Sequence, residues 1–264
     1  MAVLRVLLTR RWLGALLASA VFAVACYNLG WWQWHRYQAK LTRNALLDAH
    51  YAATPVPLSR VLPGPAALPA SAEWTKVTMT GTYADVPQLF VRNRVLGNGV
   101  GYEILAAFRT DDGRTVSVDR GFALLDSHGA AVLPPVPPAP TGDVTVVGWL
   151  RRGEVDLHRG LPRGQLASIS LPEASKAWGM PVIGAYVLLA SETFGDGGHP
   201  PRPVALGVPD RDLGPHQAYA YQWWMFMAAG FVLVWFGIRR ELAQADPQRP
   251  AKPKKVRLWD EEDE

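Results

Sequence analysis

Cysteine is nearly missing from this chain. Cys26 stands alone among 264 residues, which excludes an intramolecular disulfide and a cysteine-built zinc site. Charge is scarce as well: only 19% of residues are Asp, Glu, Lys or Arg, against about 25% in an average soluble domain. Together with 49% hydrophobic residues, this excludes a disordered chain and a coiled coil. Catalytic signatures are missing too. No Gly-x-Ser-x-Gly, P-loop or His-Glu-x-x-His occurs. Basic residues are dispersed and the net charge is only +4, so nucleic-acid binding has no support. A mean hydropathy of +0.01 is too low for a many-span membrane protein. It fits a polar domain attached to one or two membrane helices.

Two long uncharged runs are present, Trp12 to Trp34 and Gln217 to Ile238. At about 1.5 Å per residue each reaches the roughly 30 Å of a hydrocarbon core. Trp31, Trp32 and Trp34 close the first run, and Trp223 and Trp224 open the second. Trp12 and Trp235 lie toward the opposite ends, a pattern of two aromatic belts. Ala23-Val24-Ala25-Cys26 loosely resembles a lipoprotein cleavage box. The apolar run continues eight residues beyond Cys26, so an uncleaved anchor is expected. Arg5, Arg10 and Arg11 precede the first run, and seven basic residues follow the second. Residues 35–216 carry 17 basic and 16 acidic residues. By the positive-inside rule both termini are expected in the cytoplasm. The expected organisation is a cytoplasmic N-terminus (1–11), a first transmembrane helix (12–34), an extracytoplasmic domain (35–216), a second transmembrane helix (217–238) and a cytoplasmic charged, disordered tail (239–264).

No Gly or Pro interrupts His35 to His50, so the first helix is expected to continue out of the membrane. Residues 54–72 are rich in Pro and Ala and read as an extended linker. Strand patterns follow. Lys76 to Thr80 alternates and is expected to stop at Gly81; Leu89–Val91, Glu103–Phe108, Thr115–Asp119, Asp143–Arg151 and Ala185–Ala190 are further strands. Asp111-Asp112-Gly113 predicts a hairpin turn, and Gly97 to Gly101 a hairpin loop. Five prolines within residues 134–140 break the sheet, and Leu171 to Trp178 reads as one short helix. The fold class is therefore a membrane-anchored α+β chain: two transmembrane helices flank a mainly antiparallel β domain, with a small barrel as one form of it.

Two clusters carry chemistry, and both fall at the outer membrane face under this topology. In the first, Trp32, Arg36 and Lys40 share one helical stripe. In the second, His216, Tyr219, Ala220 and Trp223 share one face. An imidazole, flat aromatic rings and cations suit an iron porphyrin, since imidazole nitrogen is a common axial ligand and Arg or Lys pairs with propionates. The same residues equally suit a second reading, in which Trp and Tyr are belt residues and Arg and Lys are anchors beside the membrane.

The chain resembles the surfeit locus protein 1 family of cytochrome c oxidase assembly factors. Leu29, Gly30, Trp32, Gln33, Arg36 and Lys40 match the family's first-helix motif. Trp74, Val77, Gly81 and Tyr83, then Val91-Arg92-Asn93-Arg94, Gly101-Tyr102 and Val118-Asp119-Arg120-Gly121-Phe122, are similar to its strand blocks. His216, Tyr219, Ala220, Gln222 and Trp223 resemble its second-helix motif. Pro215 departs from the family's Asn, and Asp119 and Phe122 from its Asn and Trp. The resemblance implies a non-enzymatic assembly factor for an aa3-type oxidase in the cell membrane, assisting delivery of haem a to the catalytic subunit. It implies haem a as a transient cofactor, with His216 as the metal ligand and Tyr219, Trp223, Trp32 and Arg36 around it. His35 is a second candidate ligand, and Arg94 and Arg120 are further candidate contacts. The implied partners are the oxidase subunits, above all the haem-bearing one, together with haem a synthase and membrane lipid. The alternative is a scaffold or accessory subunit that braces an oxidase intermediate without touching haem.

Overall fold

The computed structural model describes residues 2–126 and 132–245. The reading of a charged, disordered tail falls largely on residues 246–264, outside the described residues. The chain divides into two compact units, one of residues 1–41 and 212–264 and the other of residues 42–211.

The first unit holds a short helix, α1 (Ala2–Leu7), the membrane-length part of α2 (Arg10–His50), and the last helix of the chain (His216–Gln244). Both long helices are apolar and long enough to cross a membrane. They pack on each other through small residues. Ser19 lies against Gly230, and the Trp12 ring covers Gly237. Trp12, Ser19, Cys26 and Gly30 are buried, and their spacing of sevens and a four is that of a helix–helix seam. Lipid offers no hydrophobic drive between helices, so close approach over small residues is what holds such a pair. At one end Trp12 Nε1 donates to Glu241 Oε2 at 2.9 Å.

The second unit is a barrel. Its strands are β1 (Val56–Pro57), β2 (Lys76–Tyr83), β3 (Leu89–Leu96), β4 (Gly99–Thr110), β5 (Thr115–Leu124), β6 (Asp143–Arg151), β7 (Gln165–Leu166) and β8 (Tyr186–Phe194). The sheet order is β1-β2-β6-β8-β5-β4-β3-β7, and an added β2–β4 pairing closes β2, β6, β8, β5 and β4 into a ring. Most pairings are antiparallel; β1–β2, β3–β7 and β5–β8 are parallel. Closure leaves no free edge within that ring. The interior is filled by alternate residues such as Val77, Met79, Phe108, Val116, Val118, Val144, Val146 and Val187. Strand β4 is buried on both faces. Ala106 and Phe108 belong to the barrel core, while Leu105 and Ala107 pack with Ile169, Ala174 and Trp178.

Several expectations need correction. Strand β2 does not stop at Gly81 but runs through it to Tyr83. Gly81 has φ +150, and a Cβ there would overlap the Arg109 carbonyl oxygen. Glycine at this position permits the close β2–β4 approach that closes the barrel, rather than ending the strand. The stretch 54–72 is not a bare linker. It contains β1 and a helical turn, α3 (Leu58–Val61), and places Leu58, Leu62 and Leu68 in the barrel core. The Gly-rich hairpin loop is confined to Gly97-Asn98, because Gly99 to Gly101 already pair in β4.

The helix α4 (Leu171–Trp178) matches its sequence pattern. Ser170 caps its start by accepting the Glu173 N–H at 3.3 Å, and Gly179 ends it in a left-handed conformation at φ 69. The last helix of the chain is α5 (His216–Gln244).

The end of α2 joins this unit as well. Leu47 is buried, and His50 Nδ1 lies 2.9 Å from the Glu73 carbonyl oxygen. Tyr51 stacks on Trp149 at 4.3 Å between ring centres, and Trp149 Nε1 donates to the Tyr51 carbonyl at 2.9 Å.

Candidate functional site

The site builds up from the seam of the two long helices. Gly30 lets α5 come close: the Trp224 indole lies directly over it, where a Cβ would overlap the ring. One turn further along α2, Gln33 reaches His216, the first residue of α5. His216 Nδ1 is 2.8 Å from Gln33 Oε1. A carbonyl oxygen carries no proton, so the ring nitrogen donates. The turn leading into α5 is fixed independently. Lys40 Nζ donates to the Asp212 carbonyl at 3.0 Å, and the Gly214 N–H donates to Asp212 Oδ1 at 2.8 Å.

Around this junction lies a cluster of rings. Trp224 is 5.8 Å from Trp31 and 6.0 Å from Trp34, and Trp34 is 6.2 Å from Tyr221. His35 lies 5.6 Å from Trp31. Trp224 Nε1 is buried and has no hydrogen-bond partner among the described residues.

The sequence-derived candidates fare unequally. His216 faces α2, as does the fully buried Ala220. Tyr219 and Trp32 turn outward, 45% and 52% exposed. Arg36 stacks over Trp32 at 5.3 Å, and Trp223 packs edge-on against Phe226 at 6.0 Å. The structure thus joins His216 to Gln33, while Trp31, Trp34, Tyr221 and Trp224 form a ring cluster of their own beside Gly30. Of the face drawn through positions 216, 219, 220 and 223, His216 and Ala220 meet α2 while Tyr219 and Trp223 do not, because the seam passes from Ala220 to Trp224. A clue was available in the family motif, where Gln33 had no assigned role.

Arg94 and Arg120 are engaged within the barrel. Arg94 pairs with Glu103 at 2.9 Å and with Glu154 at 2.5 Å. Arg120, wholly buried, pairs with Glu192 at 2.7 Å and donates to the carbonyls of Pro137, Pro138 and Pro201 at 3.0–3.2 Å. Tyr83 O–H also donates to Glu192 at 2.7 Å. Burial, reinforced by the Glu192 charge, pushes the Tyr83 hydroxyl well above its usual range. Asp119 is buried near the Arg94, Glu103 and Glu154 charges. Desolvation, with the nearby Glu103 charge adding to it, raises its carboxyl well above the ordinary value. The Arg120 network ties β5 and β8 to the proline-rich run 134–140, and Arg94 and Arg120 are each paired with carboxylates.

No group of three or more His, Cys, Asp or Glu residues suited to a metal ion occurs among the described residues. A bare zinc ion asks the protein for three or four ligands. An iron porphyrin asks for one axial imidazole, since the macrocycle supplies four nitrogens. With Nδ1 donating to Gln33, the second ring nitrogen of His216 is the type of donor such a group takes.

Two apolar helices of membrane-spanning length, packed together, and a small mixed β-barrel define a protein with two candidate membrane spans and one compact polar unit. Residues 20–228 match the model of the SURF1 family. The chain belongs to the SURF1 family. It is 32% identical over 265 residues to uncharacterized SURF1-like proteins of Mycobacterium tuberculosis and Mycobacterium bovis, with 95% of this chain and 93% of each relative covered. The family is generally linked to cytochrome oxidase assembly and is generally non-enzymatic.

Proposed function

We propose that the protein is an assembly factor for an aa3-type cytochrome c oxidase, which assists delivery of haem a to the catalytic subunit. What supports this reading most is the family match over residues 20–228, which runs from one long helix through the barrel into the other. His216 is the proposed axial ligand. The ring cluster of Trp31, Trp34, Tyr221 and Trp224 is the proposed cover of the macrocycle, and Arg36 is the proposed cation for a propionate. Haem, when bound, supplies only its own identity as cargo. The protein's residues hold it, orient it and keep water from its face. Partners are the haem-bearing oxidase subunit and haem a synthase, and the chain sits in the cell membrane with both termini in the cytoplasm and the barrel outside. The basic residues flanking both spans support that orientation.

The test is a deletion strain. Its oxidase is expected to lose haem a relative to the copper content of the same preparation, and the wild-type chain should restore the ratio. An oxidase assembled with full haem a in the deletion strain overturns the reading. Fusion reporters at about residue 140 and after residue 245 should report opposite sides of the membrane.

A further inference from the structure

We propose that Gln33 is a positioning residue, which holds the His216 ring with its proton on Nδ1 and leaves Nε2 as the ligating atom. The metal part of this inference rests on the haem reading above; the tautomer part does not.

A neutral imidazole carries one proton, on either nitrogen, and the hydrogen bond made at one nitrogen decides the role of the other. Gln33 Oε1 lies 2.8 Å from Nδ1, and as an acceptor it requires Nδ1–H. Metal-bound histidines almost always donate their second ring N–H to a carbonyl, a carboxylate or a water, and this fixes both tautomer and ring orientation. Gln33 supplies that acceptor from the opposite helix. It lies one turn beyond Gly30, the position over which Trp224 seats, so the same close approach that packs the helices brings the amide to the ring.

The backbone of His216 is held separately, through the Lys40 contact to the Asp212 carbonyl and the Asp212 bond to the Gly214 N–H. Ring and backbone are therefore fixed by different residues, and loss of Gln33 frees the ring without releasing the turn.

The experiment uses the full chain in lipid nanodiscs with 15N-labelled histidine. His216→Ala assigns the signal. Two-bond proton–nitrogen spectra of wild type are expected to show the Nδ1–H form. Gln33→Leu should shift His216 largely to Nε2–H, the form preferred by a free ring. In a second arm hemin is titrated into the same samples. Wild type should bind it, and Gln33→Leu should weaken binding about 10- to 100-fold. Gln33→Glu, nearly the same shape, should restore binding with an altered iron–imidazole stretching frequency. An Nε2–H ring in wild type overturns the proposal, as does a Gln33→Leu protein with unchanged tautomer and unchanged hemin affinity. A wild-type Nδ1–H ring that shifts in Gln33→Leu, without hemin binding in either, upholds the Gln33 assignment and overturns the haem reading.

Discussion

Replacement of Arg120 by Met should destabilise the barrel more than any surface change. Arg120 is fully buried, and its partner Glu192 is 1% exposed in its side chain. The guanidinium meets Glu192 Oε1 at 2.7 Å, Gln88 Oε1 at 3.1 Å, and the carbonyls of Pro137, Pro138 and Pro201. Methionine fills most of the volume but donates to none of them. The Glu192 carboxylate then remains inside the barrel with the Tyr83 hydroxyl as its main donor. Removal of one partner of a buried ion pair costs about 3–5 kcal/mol, because the other charge is left uncompensated. Folded domains are stable by only about 5–15 kcal/mol. For a unit of this size each kcal/mol moves the midpoint by about 2–4 °C, so a fall of about 6–20 °C is expected. The assay is thermal unfolding of the full chain in detergent, followed by fluorescence of the barrel tryptophans. Adding Glu192→Gln removes the stranded charge, keeps an acceptor for Tyr83, and should recover at least half of the loss. A single-variant cost below about 1 kcal/mol, or a double variant no better than the single, refutes the argument.

Gly30→Ile should separate α5 from α2, because the added side chain occupies the place of the Trp224 ring. The expected result is loss of a disulfide cross-link engineered between Ser19→Cys and Gly230→Cys in a Cys26→Ser background, and retention of the cross-link would contradict the packing. Asp119→Asn should flatten one part of the pH–stability profile. Its carboxyl is raised in the folded state, so its contribution is full below the unfolded value near 3.9 and is lost as pH climbs through the folded value. Asn still accepts the Gly121 N–H, which lies 3.1 Å from Asp119 Oδ1. The variant is expected to match or exceed wild-type stability at pH 7 in chemical denaturation, and a clear loss there would contradict the assignment. Asp112 behaves oppositely: hydrogen bonds from the Arg114 side chain push its carboxyl down to about 2. Asp112→Asn should therefore reduce the loss of stability as pH falls from about 4 toward 2, read by the same unfolding assay.

Much of the architecture was legible because local chemistry agreed with the global fold. The strand expected over Asp143–Arg151 and the helix expected over Leu171–Trp178 are β6 and α4 with those same bounds. The long helices were legible from their uncharged runs. Barrel closure was not. It depends on Gly81 approaching Arg109 across 28 residues of chain, and a glycine in a short alternating run reads equally as a stop. The core role of Leu58, Leu62 and Leu68 was hidden by prolines, which signal irregular backbone but say nothing of burial. At the site, His216 and Gln33 each stood in a motif, while their pairing did not show. Gln33 lies 183 residues away, and no periodicity within either helix links the two. Arg120 was legible as an arginine, and its burial against Glu192, 72 residues on, was beyond any local pattern.

The most direct measurement of the central claim is the visible spectrum of the full-length protein purified from a host that makes haem a, for wild type and for His216→Ala. Wild type is expected to carry a haem a absorption band, and His216→Ala, inserted and folded to the same extent, to lose or shift it. His199, whose Nδ1 lies 3.0 Å from the Glu192 carbonyl in the barrel unit, should tolerate Ala with the band intact. A colourless wild-type protein that copurifies with oxidase subunits would contradict haem delivery and favour a brace on the assembling oxidase. An unchanged band at full occupancy in His216→Ala would remove His216 as the ligand.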